Sequence, residues 1–112
     1  MNAPKPPVKT LIDSFEYHEY IGINDWSEPV YNEPLSVSNV RIDRSVSYSA
    51  NDGKTVLYDA VIFCYAGLTD PLLSFKEQSK VHFDGQDKTI VKVIINKEPF
   101  KDTIYSVELE VV

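Results

Sequence analysis

Residues 80–95 constrain the fold more than any other part of this chain. Lys80, Val81, His82 and Phe83 alternate polar and apolar side chains, and Asp84-Gly85 follows. Beyond it Ile90, Val91, Val93, Ile94 and Ile95 make a denser apolar run. Period-two alternation marks a strand with one wet face, and a denser run predicts a strand buried on both sides. An Asp-Gly step between two such segments predicts a tight hairpin, with Gly85 supplying the backbone freedom.

The rest of the chain repeats the pattern. Phe15, Tyr17, Glu19 and Ile21 form one face of a first strand, with Glu16, His18 and Tyr20 on the other, until Gly22 and Asn24-Asp25 interrupt it. Pro29 and Pro34 bracket a loop or an edge strand, because proline cannot donate to a ladder. Leu35 and Val37 alternate in one phase, whereas Val40, Ile42, Val46 and Tyr48 take the other. A phase change near Ser38-Asn39 predicts a β-bulge. Residues 50–54 read as a hairpin tip, and residues 56–65 as the returning strand. Residues 68–73 predict a short helix or an irregular crossover. Tyr105, Val107, Leu109 and Val111 alternate with Ser106, Glu108 and Glu110 in a final strand. Short strands without strand–helix alternation predict an all-β fold. Its expected form is a small antiparallel β-barrel or sandwich with a long central hairpin and little helix.

At 112 residues the chain fits one domain, and 43% hydrophobic content suffices for a core. Pro4, Pro6 and Pro7 predict a flexible arm over residues 1–9, leaving residues 10–112 as a single β-barrel domain. The formal net charge of −6 argues against a general nucleic-acid binder or a ligand of anionic membranes. No apolar run is long enough to span a bilayer, and the start of the chain lacks the apolar segment of a signal peptide. Folding in a cytoplasm is therefore expected. The single cysteine, Cys64, lies in an apolar strand and reads as a buried small hydrophobe.

Residues suited to catalysis are scattered. Glu16, His18 and Glu19 are close in sequence, but Glu19 would point away from the other two on a strand, and zinc needs three or four convergent ligands. Isolated glycines form no phosphate cradle, and no serine sits in a nucleophile elbow. No enzyme activity and no cofactor are expected. Tyr17, Tyr20, Trp26, Tyr31, Tyr48, Tyr58 and Tyr65 could stack on bases or sugars, but single-strand binders add a basic groove to such rings. Core filling and protein contacts are the simpler uses, and Trp26, Tyr31, Arg41 and Arg44 are the candidates for protein contact. For the two arginines, a local ion pair with Asp43 or another carboxylate is the competing reading.

Several segments together carry a family resemblance. The run Lys80-Val-x-Phe-x-Gly-x-x-x-x-Ile-Val-x-Val93 resembles the minor capsid proteins of tailed phages. The opening residues 11–20, the turn Asp25-Trp26-Ser27-Glu28-Pro29, and segments 40–45, 60–65 and 105–111 follow in the family's order. The resemblance implies a structural virion protein of the head-completion, or stopper, type. It implies a homo-oligomeric ring at the head–tail junction, contacting the head-side connector or portal assembly and tail components. DNA would pass through without sequence-specific contact, and the gene could belong to a prophage. It also implies a channel-reaching hairpin tip at Ser49, Ala50, Asn51, Asp52, Gly53 and Lys54, against the alternative of a plain exposed turn. The competing reading of the whole chain is a monomeric β-barrel module recognising a peptide or carbohydrate through an aromatic surface.

Overall fold

A computed structural model describes residues 4–44, 47–48 and 56–112. Among them a 3-10 turn, Val8–Thr10, precedes the strands β1 (Asp13–His18), β2 (Tyr20–Ile23), β3 (Pro29–Tyr31), β4 (Leu35–Asp43) and β5 (Ser47–Tyr48). There follow β6 (Val56–Tyr58), β7 (Ala60–Tyr65), β8 (Lys80–Phe83), β9 (Gln86–Lys97) and β10 (Ile104–Val111). Six of them close a barrel in the order β1-β4-β7-β10-β9-β8. Every neighbouring pair is antiparallel, and β1 pairs with β8 to complete the circle. Closure removes the free sheet edges that a sandwich would expose.

The alternation read from the sequence is what fills the barrel. Phe15, Tyr17, Val37, Val40, Ile42, Val81, Phe83, Val107, Leu109 and Val111 all turn inward and are buried. Phe75, from the crossover between β7 and β8, packs its ring against Tyr17 edge-on at 5.0 Å and against Phe15 at 6.0 Å. The bulge expected near Ser38-Asn39 is present. Asp13 pairs with Val40 and Ser14 with Ser38, leaving Asn39 unmatched with φ of 59°. The crossover latches it: the Asn39 side-chain amide donates to the Leu68 carbonyl, and the Thr69 hydroxyl donates to the Asn39 carbonyl. Ser38 and Asp70 also exchange backbone bonds. Residues 68–73 are thus an irregular crossover rather than a helix. At the β8–β9 hairpin, Asp84 and Gly85 both have positive φ, the backbone of the expected two-residue turn.

Three expectations are corrected. The first strand does not run from Phe15 to Ile21 on one face. It stops at His18, and Tyr20–Ile23 leaves the barrel to pair with Pro29–Tyr31, so Ile21 is exposed. Strand β9 is not buried on both sides either. Glu110 pairs with Lys92 and Val111 with Ile90, which leaves Val91 in a bulge. That bulge resets the alternation: Ile90 points inward before it and Val93 packs on the core after it, so the apolar run looks continuous. Val91 and Ile95 are exposed. The returning arm of the central hairpin is also divided, with β6 pairing with β5 in a separate ribbon and β7 pairing with β4 in the barrel. Val46 lies outside the described residues.

The pairing directions fix what emerges at each end of the barrel. The β2–β3 hairpin, the β7–β8 crossover and the loop 98–103 gather at one mouth. The β5–β6 ribbon, the Asp84-Gly85 turn and the end of β10 gather at the other.

Candidate functional site

The residues singled out by sequence separate onto these two mouths. At the ribbon mouth, Arg44 follows β4 and forks onto Asp84, with Nε at 2.6 Å and Nη2 at 3.1 Å from its carboxylate. The same Nη2 lies 3.2 Å from Asp13, whose other oxygen accepts the Ile42 N–H at 2.9 Å. The Arg44 hydrogen bonds hold the Asp84 carboxyl below its ordinary range, and those carboxylates in turn hold the guanidinium charged. Nearby Lys88 pairs with Asp59 at 2.9 Å. These two pairs, with Ala60, Phe83 and Gln86, line an open cleft of about 380 Å³. Arg44 is therefore committed to a local cross-strand pair, and its partners are Asp84 and Asp13. Arg41 is exposed on the outer side of β4, opposite Phe63, and borders a shallow depression with Thr10 and Ile12. The candidate tip Ser49, Ala50, Asn51, Asp52, Gly53 and Lys54 lies outside the described residues.

At the other mouth, Trp26 and Tyr31 belong to the β2–β3 hairpin. Its turn is held by the Asn24 side chain, which accepts from the backbone N–H of Trp26 at 2.9 Å and of Glu28 at 3.0 Å. Asn24 and Glu28 also bond through their backbones. Trp26 projects from this fixed turn and is 81% exposed. Tyr31 sits at the root, half-buried, edge-on to Tyr20 and under the Lys80 ammonium at 4.9 Å. The root is pinned to the barrel by Tyr20 N–H donating to the Ser79 hydroxyl and by Lys76 Nζ donating to the Tyr20 carbonyl.

Across the same mouth, loop 98–103 joins β9 to β10. Phe100 lies at its tip, fully exposed, with φ of 65°. Ile95 and Ile104 are exposed beside it. The buried Glu98 carboxylate receives Lys5 at 3.6 Å, and the Tyr105 hydroxyl donates to the Pro4 carbonyl at 2.6 Å. Residues 4–5 thus lie against this loop. The sequence reading passed over Phe100; the available signal was a bulky apolar residue alone in Glu98-Pro-Phe-Lys-Asp102.

Other described ionisable side chains form local pairs. The pairing of β1 and β8 sets His82 opposite Glu16, and His82 Nδ1 lies 2.7 Å from Asp87. That contact, helped by Lys80, holds the Asp87 carboxyl below its usual range. Among the described residues no group of three or more His, Cys, Asp or Glu side chains is disposed to hold a metal ion. Cys64 is buried in the core and its thiol is pushed up to about 12 by burial, so little thiolate forms at neutral pH. No described helix is long and apolar enough to cross a membrane.

The family model for minor capsid proteins matches residues 7–111, nearly the whole chain. The chain belongs to the minor capsid protein family. No curated protein matches it, and no solved structure does. Membership assigns it a structural role in a phage virion, in association with other virion components. The match spans every strand of the barrel and the elements at both of its mouths.

Proposed function

We propose that this minor capsid protein completes the phage head at the head–tail junction, as a ring between the portal or connector above and the tail below. The observation that carries this reading is the family match over residues 7–111, on a closed barrel with hairpins extending from both mouths. A closed barrel has no free edge, so contacts between copies fall to the elements outside it. Here those elements are the β2–β3 hairpin, the β5–β6 ribbon and loop 98–103. In such a ring the net charge of −6 suits a channel that DNA must traverse, since an acidic wall repels phosphate. The protein acts without catalysis. We propose further that the segment 49–54 helps retain DNA; deletion of residues 51–54 is expected to give folded, incorporated protein and leaky heads, and unchanged DNA retention would reject that role.

The junction assignment is tested by electron microscopy of native particles carrying a label on the C-terminus of this chain. A ring of label at the portal vertex is expected. Label spread over the icosahedral shell, or scattered along the tail, would overturn the assignment. Sedimentation adds a second check: the isolated chain is mostly monomer, and it gains ring-sized mass on mixing with the assembled head-side connector.

A further inference from the structure

We propose that residues 4–7 form a strap, latched on Glu98 and Tyr105, whose closure sets the order of loop 98–103 at the far mouth of the barrel.

The strap joins two places that the barrel keeps apart. Asp13 opens β1 at the ribbon mouth, beside Arg44, and Leu11 just before it is buried. Thr10 and Ile12 border Arg41 on the outer side of β4. Pro4 and Lys5 instead meet Tyr105 and Glu98 at the opposite mouth. In the barrel order β4 and β7 separate β1 from β10, so the chain between residues 5 and 10 runs across their outer faces. Ala60, Ile62 and Cys64 point into the core, which turns Phe63 and Tyr65 of β7 outward along that path, and both are half-buried. Pro4, Pro6 and Pro7 favour an extended backbone of about 3.1 Å per residue, so few residues cover the distance.

The latch is three contacts on two residues. The Tyr105 hydroxyl donates to the Pro4 carbonyl at 2.6 Å. The Lys5 ammonium lies 3.6 Å from the Glu98 carboxylate and 5.5 Å from the centre of the Tyr105 ring, which Tyr65 braces edge-on at 6.1 Å. The Glu98 side chain is 3% exposed, and a carboxylate that far from water is stable only among cations or donors. The same residue closes the loop. Its N–H donates to the Thr103 carbonyl at 2.8 Å, and its carbonyl accepts the Lys101 N–H at 3.3 Å. Strap and loop therefore share Glu98. The loop also holds Phe100 at a φ of 65°, a backbone that a bulky residue adopts at a cost, so its order depends on its ties. Opening the strap sends the Glu98 carboxylate toward water and pulls on the turn that Glu98 closes. The coupling is reciprocal: drawing the N-terminus away loosens the loop, and loosening the latch frees the arm.

Amide hydrogen exchange in the full-length chain, followed residue by residue by NMR at neutral pH, tests the coupling. Lys5 is remote from the loop in sequence, so Lys5→Gln leaves the loop's own residues intact. It should speed exchange at the Glu98 and Lys101 amides about fivefold, the order expected when a part-buried ion pair is lost. The Asn24 amide, bonded to the Glu28 carbonyl in the β2–β3 hairpin, should keep its rate. Lys5→Arg should restore slow exchange in the loop. Unchanged exchange at Glu98 and Lys101 would overturn the proposal, and so would an equal acceleration at Asn24, which marks a general loss of stability. The reciprocal arm uses Tyr105→Phe, which removes only the hydroxyl on Pro4. The heteronuclear NOE of the Lys5 amide should be that of ordered backbone in the parent chain and fall in this variant. A Lys5 amide already mobile in the parent, or equally ordered in the variant, would overturn the latch.

Discussion

Tyr17 shows how much one side chain can organise. Its ring is 2% exposed and stands edge-on to Phe75, while its hydroxyl accepts the Lys76 N–H at 2.9 Å and meets the Ser79 hydroxyl at 3.2 Å. The Ser79 oxygen also accepts the Tyr20 N–H, so one chain of hydrogen bonds ties barrel, crossover and outer hairpin together. Tyr17→Phe keeps the apolar body and strands the Lys76 donor, a loss of about 1–2 kcal/mol that urea unfolding measures. An unchanged unfolding midpoint would show that water replaces the hydroxyl without cost. Arg44 gives a pH-dependent counterpart. Its bond to Asp84 depresses the carboxyl's folded pKa, so the stabilisation is present above the unfolded value, about pH 4, and fades as pH falls through the lower folded value. Arg44→Gln should therefore melt below the parent at neutral pH, and the two melting curves should converge in acid. A gap that persists below about pH 2 would assign the loss to packing against Phe83 instead of charge.

At the scale of elements, the clearest sequence signals were those with a local cause. The phase change at Ser38-Asn39 gave away the β4 bulge because inward residues on either side fall out of step. Asn39→Ala removes both the residue type that tolerates positive φ and the amide bonded to Leu68, and should cost about 1–2 kcal/mol by chemical denaturation. Asn39→Gly keeps the backbone freedom and should lose less, which separates the two contributions. The bulge at Val91 escaped notice for the opposite reason. Apolar residues flank it on both faces, so a phase change there looks like a doubly buried strand. The end of β1 was equally hidden: Tyr20 and Ile21 continue its alternation, whereas the partners that hold Tyr20 outside the barrel, Ser79 and Lys76, lie more than fifty positions away. Trp26 and Tyr31 were legible as contact candidates from residue type alone, and the structure places both on one hairpin. Arg44 was legible only as a choice between partners, which the Asp84 turn decides by lying beside it in space. Phe100 was missed because exposure and φ are not written in composition.

At the scale of the whole molecule, the sole tryptophan stands outside the fold that it might be expected to report on. Barrel integrity depends on β1 meeting β8 across more than sixty residues of chain, together with the core they enclose. A closed, single-core domain of this size should lose that structure in one cooperative step. Trp26, fixed on its turn and largely in water, takes no part in the core. Its emission in the isolated chain should already lie at the water-exposed, long-wavelength end, and denaturant should move the maximum little while far-ultraviolet circular dichroism passes through a sharp transition. On assembly the order reverses: the dichroism stays constant, and the emission shifts to shorter wavelength as the indole leaves water. A short-wavelength maximum in the isolated monomer would mean that the hairpin folds back on its own barrel, and the indole would then be unavailable to a neighbouring copy.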